Sequence, residues 1–118
     1  MASILVIEDE AIIGLLMSEV LAGMGHEVCA VVASEAAAVA AAAKHQPDLL
    51  IVDAGLAAGD GLSAVDRILL TGFVPHVFTT GNARKVRQLK PDAVILEKPF
   101  NEADLVQAID RALGLTTR

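Results

Sequence analysis

Five residues spread along most of the chain carry groups that together suit a cation and a phosphoryl group: Glu8, Asp9, Asp53, Thr80 and Lys98. Each stands at or just after the end of a short apolar run. Ile4–Ile7 meets Glu8-Asp9-Glu10, and Leu49-Leu50-Ile51-Val52 meets Asp53-Ala54-Gly55. His76-Val77-Phe78-Thr79-Thr80 ends in hydroxyls before Gly81, and Ala93–Leu96 runs into Glu97-Lys98-Pro99-Phe100. Three carboxylates held together repel one another and shift each other's pKa. A hard divalent cation resolves that repulsion, and Mg²⁺ prefers a few carboxylate oxygens while keeping its waters. A lysine and a hydroxyl beside such a cation complete a site for a phosphoryl group.

For these residues to meet, the runs must be strands that share an edge. An uninterrupted apolar run reads as a strand buried on both faces, as in a parallel sheet. In open α/β sheets the carboxyl ends of the strands hold the ligands. Between the runs the pattern is helical. Ile13, Leu16, Val20 and Met24 form a stripe with Gly23 and Gly25 at its end. Val28–Val32 is a second, β-branched strand. Ser34 caps an alanine-rich helix over Glu35–Lys44, which Pro47 stops. The loop Gly55–Gly61 holds three glycines and Asp60, and precedes a helix with Leu62, Val65, Ile68 and Leu69 on one side. Asn82–Lys90 has room for a short helix only. Asn101 caps a last helix, with Asp104 in its first turn, Leu105, Ala108, Ile109, Ala112 and Leu113 on its buried face, and Gly114 at its end. Five strands alternating with five helices predict an α/β doubly wound parallel sheet covered on both faces.

Composition bounds the alternatives. The 118 residues suffice for one domain with one core, spanning residues 1–118. With 54% hydrophobic and 20% charged residues the chain is globular, and with three Phe and no Trp or Tyr its core is aliphatic. The net charge of −6 argues against nucleic acid as a partner. One cysteine, Cys29, excludes an intrachain disulfide and suits a reducing compartment. The N-terminus has no signal-peptide pattern and no long uncharged apolar run occurs, so a cytoplasmic location without a membrane is expected. The fold also suits flavins and nucleotides, but there is no G-x-G-x-x-G or P-loop, and Glu8-Asp9 would repel a cofactor phosphate.

Over essentially its whole length the chain resembles a response-regulator receiver domain. The resemblance rests on Glu8-Asp9, Asp53, Thr80-Gly81 and Lys98-Pro99-Phe100 after strands one, three, four and five. It implies a flavodoxin-like (βα)5 sheet with strand order 2-1-3-4-5, the order this family is commonly used to illustrate. It implies a phosphoacceptor, Asp53, fed by a histidine kinase or histidine phosphotransfer protein. Such a domain assists only its own phosphorylation and dephosphorylation and is otherwise no enzyme. Asp9, Asp53 and the Gly55 carbonyl would bind Mg²⁺, with Glu8 acting largely through water. Lys98 and Thr80 would bind phosphoryl oxygens, helped by N–H groups near Ala54 and Gly81. The Lys98–Pro99 bond would be cis. A downstream protein partner and a monomer or weak dimer are implied. Phe78-Thr79-Thr80-Gly81 is similar to the F-A-T-G signature of a stand-alone subset known from alphaproteobacterial stress signalling.

The chain departs from the family at three places. Ala57 stands where receivers often carry Pro, and Ile95 where an aromatic switch residue is usual. The stretch from Thr80 to Lys98 is short, which predicts a shortened or irregular fourth helix. These departures leave a second reading, a pseudo-receiver that acts only as an interaction module. Individually the site residues have plainer roles: Glu8-Asp9-Glu10 suits a helix N-terminus, Thr80 a helix cap, with Thr79 the rival for its role, and Lys98 the solvent. Their joint occurrence at four of five strand ends carries the functional reading. Arg84, Lys85, Arg87 and Lys90 form a basic group that suits either a solvated face or a dock for an acidic partner.

Overall fold

A computed structural model describes residues 1–56 and 59–115. The strands are β1 (Ser3–Ile7), β2 (Glu27–Val32), β3 (Leu49–Asp53), β4 (His76–Thr80) and β5 (Val94–Glu97). The helices are α1 (Ala11–Gly23), α2 (Glu35–His45), α3 (Gly61–Ile68), α4 (Ala83–Leu89) and α5 (Glu102–Ala112). A 3₁₀ turn, Leu69–Thr71, extends α3. All strands are parallel, in the order β2-β1-β3-β4-β5. This is the flavodoxin-like sheet expected from the resemblance.

Strand alternation divides the core into two layers. Leu5, Ile7, Leu50, Val52 and Phe78 point to one face, covered by Ala38 and Ala42 of α2, Val65 and Ile68 of α3, and Val86 of α4. Ile4, Val6, Leu49, Ile51 and Val77 point to the other, covered by Leu21 of α1 and Leu105, Ala108 and Ile109 of α5. β3 is central and buried at every position. Full burial of each such aliphatic side chain is worth about 1.5–3 kcal/mol, so its register is strongly specified.

The caps follow the sequence. Ser34 accepts from the Ala37 amide at 3.2 Å. Asn101 and Asp104 form a reciprocal capping box on α5. Gln46 takes the left-handed conformation (φ 46°) that ends α2 before Pro47. The fourth helix is short, as expected, but it is regular: seven residues capped by Asn82, whose side chain accepts from the Lys85 amide at 3.2 Å. Strand five begins at Val94 instead of Ala93 and reaches Glu97.

Helix α1 corrects the sequence reading. Only the second half of the stripe Ile13, Leu16, Val20, Met24 packs on the core: Val20 and Met24 are half-buried against it, Ile13 and Leu16 are 37% and 51% exposed, and the residues buried outright are Gly14 and Leu21. The cause is Gly14. A Cβ there would lie 2.8 Å from Val31 Cγ1, so α1 sits down on its smallest residue. Glu19 is the only charge in α1, so no polar face opposes an apolar one, and periodicity cannot select the buried side.

Candidate functional site

The parallel register aligns the strand ends. Ile7 pairs with Val52, Asp53 with Thr79, and Thr80 with Glu97. The next residues therefore leave the sheet on one edge. There Glu8, Asp9 and Asp53 each bring one carboxylate oxygen within 4.8 Å of the others. Lys98 Nζ lies 3.6 Å from Asp53 Oδ2 and 3.8 Å from Glu8 Oε1. Its amide donates to the Thr80 carbonyl at 2.8 Å, which carries the β4–β5 pairing past the last strand residue, and the Lys98–Pro99 bond is cis.

Glu8 and Asp53 are buried and Asp9 is half-buried. Burial raises the Glu8 pKa, and the charge of Asp53 and a hydrogen bond to its carboxyl raise it further. The Glu10 amide, which donates to Glu8 Oε2 at 3.1 Å, and the Lys98 ammonium act in the opposite sense. A buried glutamate held above its ordinary range beside two more acids is short of positive charge. The donor set is all oxygen, which is what a hard divalent cation such as Mg²⁺ takes. The residues present fit that ion.

Thr80 Oγ1 accepts from the Asn82 amide at 3.0 Å. Thr80 lines a cleft of about 410 Å³ with Ala54, Gly55, Leu56, Lys85 and Val86. Thr79 instead uses its carbonyl to receive the Ala54 amide at 3.0 Å. Of the two threonines, Thr80 is the one that lines this cleft. Gly55 donates its amide to Asp53 Oδ1 at 3.0 Å. Ile95 is half-buried and packs on the layer beneath α2, α3 and α4. Ala57 lies outside the described residues. Of the basic group, Lys90 pairs with Asp66 on α3 at 2.6 Å, and Arg84, Lys85 and Arg87 are exposed.

Three residues matter that the sequence reading passed over. Gly61 opens α3 against the end of β3: a Cβ there would collide with the Asp53 carbonyl oxygen and lie 3.0 Å from Ala54 Cα. Glu35 Oε1 accepts from the Asp60 amide at 3.0 Å, and Oε2 accepts from Ser63 Oγ at 2.8 Å and Arg67 Nη1 at 3.1 Å. Asn82 joins Thr80 to α4 through its amide and its cap. Three glycines in one short loop were the visible signal for Gly61; nothing in a helix-opening glutamate marked Glu35.

Among the described residues no helix is long and apolar enough to cross a membrane. Residues 4–110 match the family model described as the response regulator receiver domain. The transcriptional regulatory protein PdtaR of Mycobacterium tuberculosis is 33% identical over 94% of this chain and 56% of its own length. The phyllosphere-induced regulator PhyR of Methylorubrum extorquens is 35% identical over 93% of this chain and 43% of its own. The chain thus spans about half the length of these relatives. The solution structure of the receiver domain of Erythrobacter litoralis PhyR superposes with a TM-score of 0.88 at 29% identity, covering 99% of this chain and 93% of that one. Brucella abortus PhyR gives a TM-score of 0.87 at 27% identity over 96% of this chain and 48% of that one. With the acid cluster, the facing lysine and the 2-1-3-4-5 sheet in place, this chain belongs to the response-regulator receiver family.

Proposed function

We propose that Asp53 accepts a phosphoryl group from a histidine kinase or a histidine phosphotransfer protein and that the domain then signals through changed protein contacts. As a receiver domain the chain is a signalling module. One observation carries the reading: Glu8, Asp9 and Asp53 share one sheet edge with Lys98 Nζ 3.6 Å from the Asp53 carboxylate. In the transfer, the P–N bond of the donor's phosphohistidine breaks and a P–O bond to Asp53 forms. The imidazole nitrogen leaves with the bonding electrons and takes a proton. Lys98 and the Thr80 hydroxyl receive phosphoryl oxygens, and amides near Ala54 and Gly81 add donors. Asp9, Asp53 and the Gly55 carbonyl would hold Mg²⁺, with Glu8 contacting it through water. When bound, the ion supplies positive charge to phosphoryl oxygens that would otherwise meet three carboxylates.

The test is covalent. The protein is incubated with an acyl phosphate or phosphoramidate and its mass followed with and without EDTA. A single adduct that needs Mg²⁺ and is lost in Asp53→Asn is expected. An adduct that persists in Asp53→Asn overturns the assignment. No adduct from either donor or from a phosphorylated histidine protein points to the pseudo-receiver instead. The relatives PdtaR and PhyR are regulators by name, which agrees with a signalling output.

A further inference from the structure

We propose that Glu35, on α2 and outside the acid cluster, is a positioning residue for the cation side of the phosphoacceptor site. The inference rests on the reading of that site given above. It begins with the loop that leaves Asp53. Residues 54 and 61 close that loop on themselves, because the Gly61 amide donates to the Ala54 carbonyl at 3.2 Å. Gly61 also packs against the Asp53 backbone so tightly that only a glycine fits. The phosphoacceptor's own main chain thus forms the base of the loop, and Gly55, whose carbonyl is the proposed cation ligand and whose amide donates to Asp53 Oδ1 at 3.0 Å, follows directly on that base.

The far side of the loop rests on Glu35. Glu35 Oε1 takes the Asp60 amide at 3.0 Å, and Oε2 takes Ser63 Oγ and Arg67 Nη1. Gly59 adopts φ +92° with its Cα so close to α2 that an added Cβ would lie 2.5 Å from Glu35 Cβ. One carboxylate thereby joins the loop, the first turn of α3 and the second turn of α3 to a different helix. Asp60, held by its amide, uses its own carboxylate to cap α3 through the Leu62 amide at 2.7 Å. The Glu35 side chain is 17% exposed although it sits in the first turn of a surface helix. The Ser63 hydroxyl, then Arg67 and the Asp60 amide, hold its carboxyl below the ordinary range, so it is charged at neutral pH.

Without Glu35 the loop keeps the Gly61 base and the buried Leu56, but the hydrogen bonds that fix Asp60 and Ser63 are gone. With Asp60 and Ser63 released from α2, Gly55 at the other end of the same loop is held less firmly. A ligand carbonyl that must be ordered on binding costs affinity, as loss of supporting shells around metal ligands does generally. The side chain touches no phosphoryl or metal-bound atom, so its effect acts through Gly55.

The experiment is a titration of MgCl₂ into the ¹⁵N-labelled chain, read by amide shifts, for the unaltered protein and four variants. Glu35→Ala is expected to weaken Mg²⁺ binding about tenfold and Glu35→Gln about threefold, since Gln keeps the volume and one acceptor. Arg67→Ala leaves the bonds to Asp60 and Ser63 in place and is expected within twofold of the unaltered chain. Asp53→Asn should abolish the shifts. Exchange of the Asp60 amide should slow on Mg²⁺ addition in the unaltered chain and not in Glu35→Ala, because coupling between two sites is reciprocal. A purely structural role would lower melting temperature with neither effect. An Mg²⁺ affinity within twofold in a folded Glu35→Ala, or in Glu35→Gln should the alanine variant unfold, overturns this inference and leaves the site's assignment standing. Absence of Mg²⁺-dependent shifts near Asp53 in the unaltered chain overturns the assignment and the inference together.

Discussion

Two segments flank Asp53, and they are held in different ways. The β3–α3 loop is fastened from both ends: Gly61 is wedged on the Asp53 carbonyl, and Glu35 grips Asp60, Ser63 and Arg67 from a neighbouring helix. The β4–α4 segment has one side-chain oxygen holding it near the site, and its helix rests on the core through Ala83 and Val86. Thr80 Oγ1 takes the Asn82 amide, and Asn82 Oδ1 takes the Lys85 amide. Further along, α4 is tied to α3 by the exposed Lys90–Asp66 pair, a kind of contact worth at most about 1 kcal/mol. The first wall is anchored by groups that take no part in phosphoryl chemistry. The second is anchored by the hydroxyl proposed to meet the phosphoryl group. On the proposed function, such an arrangement would keep the cation ligands still and let the response leave through the other side.

The largest effect should come from breaking the fixed wall. Gly61→Ala places a methyl on a backbone oxygen that cannot turn aside, and the central strand cannot shift without moving both core layers. We expect a loss of about 3 kcal/mol in urea unfolding, together with weakened Mg²⁺ binding. A loss below about 1 kcal/mol would mean that the loop relaxes freely and that the first wall is not fixed.

The next effect is smaller and local. Asn82→Ala removes the α4 cap, for which about 1 kcal/mol is typical. Amide exchange should speed up across residues 83–89 and stay unchanged across 59–68. Loading the site with an acyl-phosphate mimic should act in the same direction in the unaltered chain, since a hydroxyl drawn to phosphoryl oxygens is drawn away from the Asn82 amide. Faster exchange on both sides of Asp53 would erase the distinction between the walls.

Much of this was legible before any coordinates. The strand ends announced the site because each chemistry-bearing residue directly follows an apolar run, and a parallel sheet brings such positions to one edge. The caps Ser34 and Asn101 were legible because capping is local. What escaped the sequence was non-local or lacked contrast. Helix α1 is apolar all round, so no periodicity could pick Gly14 and Leu21 over Ile13 and Leu16; a contact with Val31 on another strand made the choice. Glu35 looked like an ordinary first-turn acid because its partners stand about twenty-five to thirty residues away. The short stretch between Thr80 and Lys98 predicts only a short helix over Asn82 to Lys90, and α4 is short; what went unread was the Asn82 cap that keeps its seven residues regular.

The smallest predicted effect separates anchoring from charge. Glu8 is the buried floor between the two walls, and burial together with Asp53 raises its pKa. An acid whose pKa is higher in the folded than in the unfolded chain costs stability. The cost is fully present above the folded pKa and disappears as pH falls through it toward the ordinary glutamate range. Glu8→Gln in Mg²⁺-free buffer at neutral pH should therefore raise the melting temperature by a few degrees, on the order of 1 kcal/mol or less. The difference from the unaltered chain should shrink as the buffer is acidified, and saturating Mg²⁺ should reverse it by stabilising only the protein that keeps all three acids. If the asymmetry of the walls comes from their anchors, this stabilisation must be shared. Exchange in residues 59–68 and 83–89 should slow by the same factor wherever it proceeds through global opening, and α4 should still open first. Should Glu8→Gln instead slow α4 alone, repulsion at the floor, and not the single hydroxyl at Thr80, would be what sets the movable wall loose.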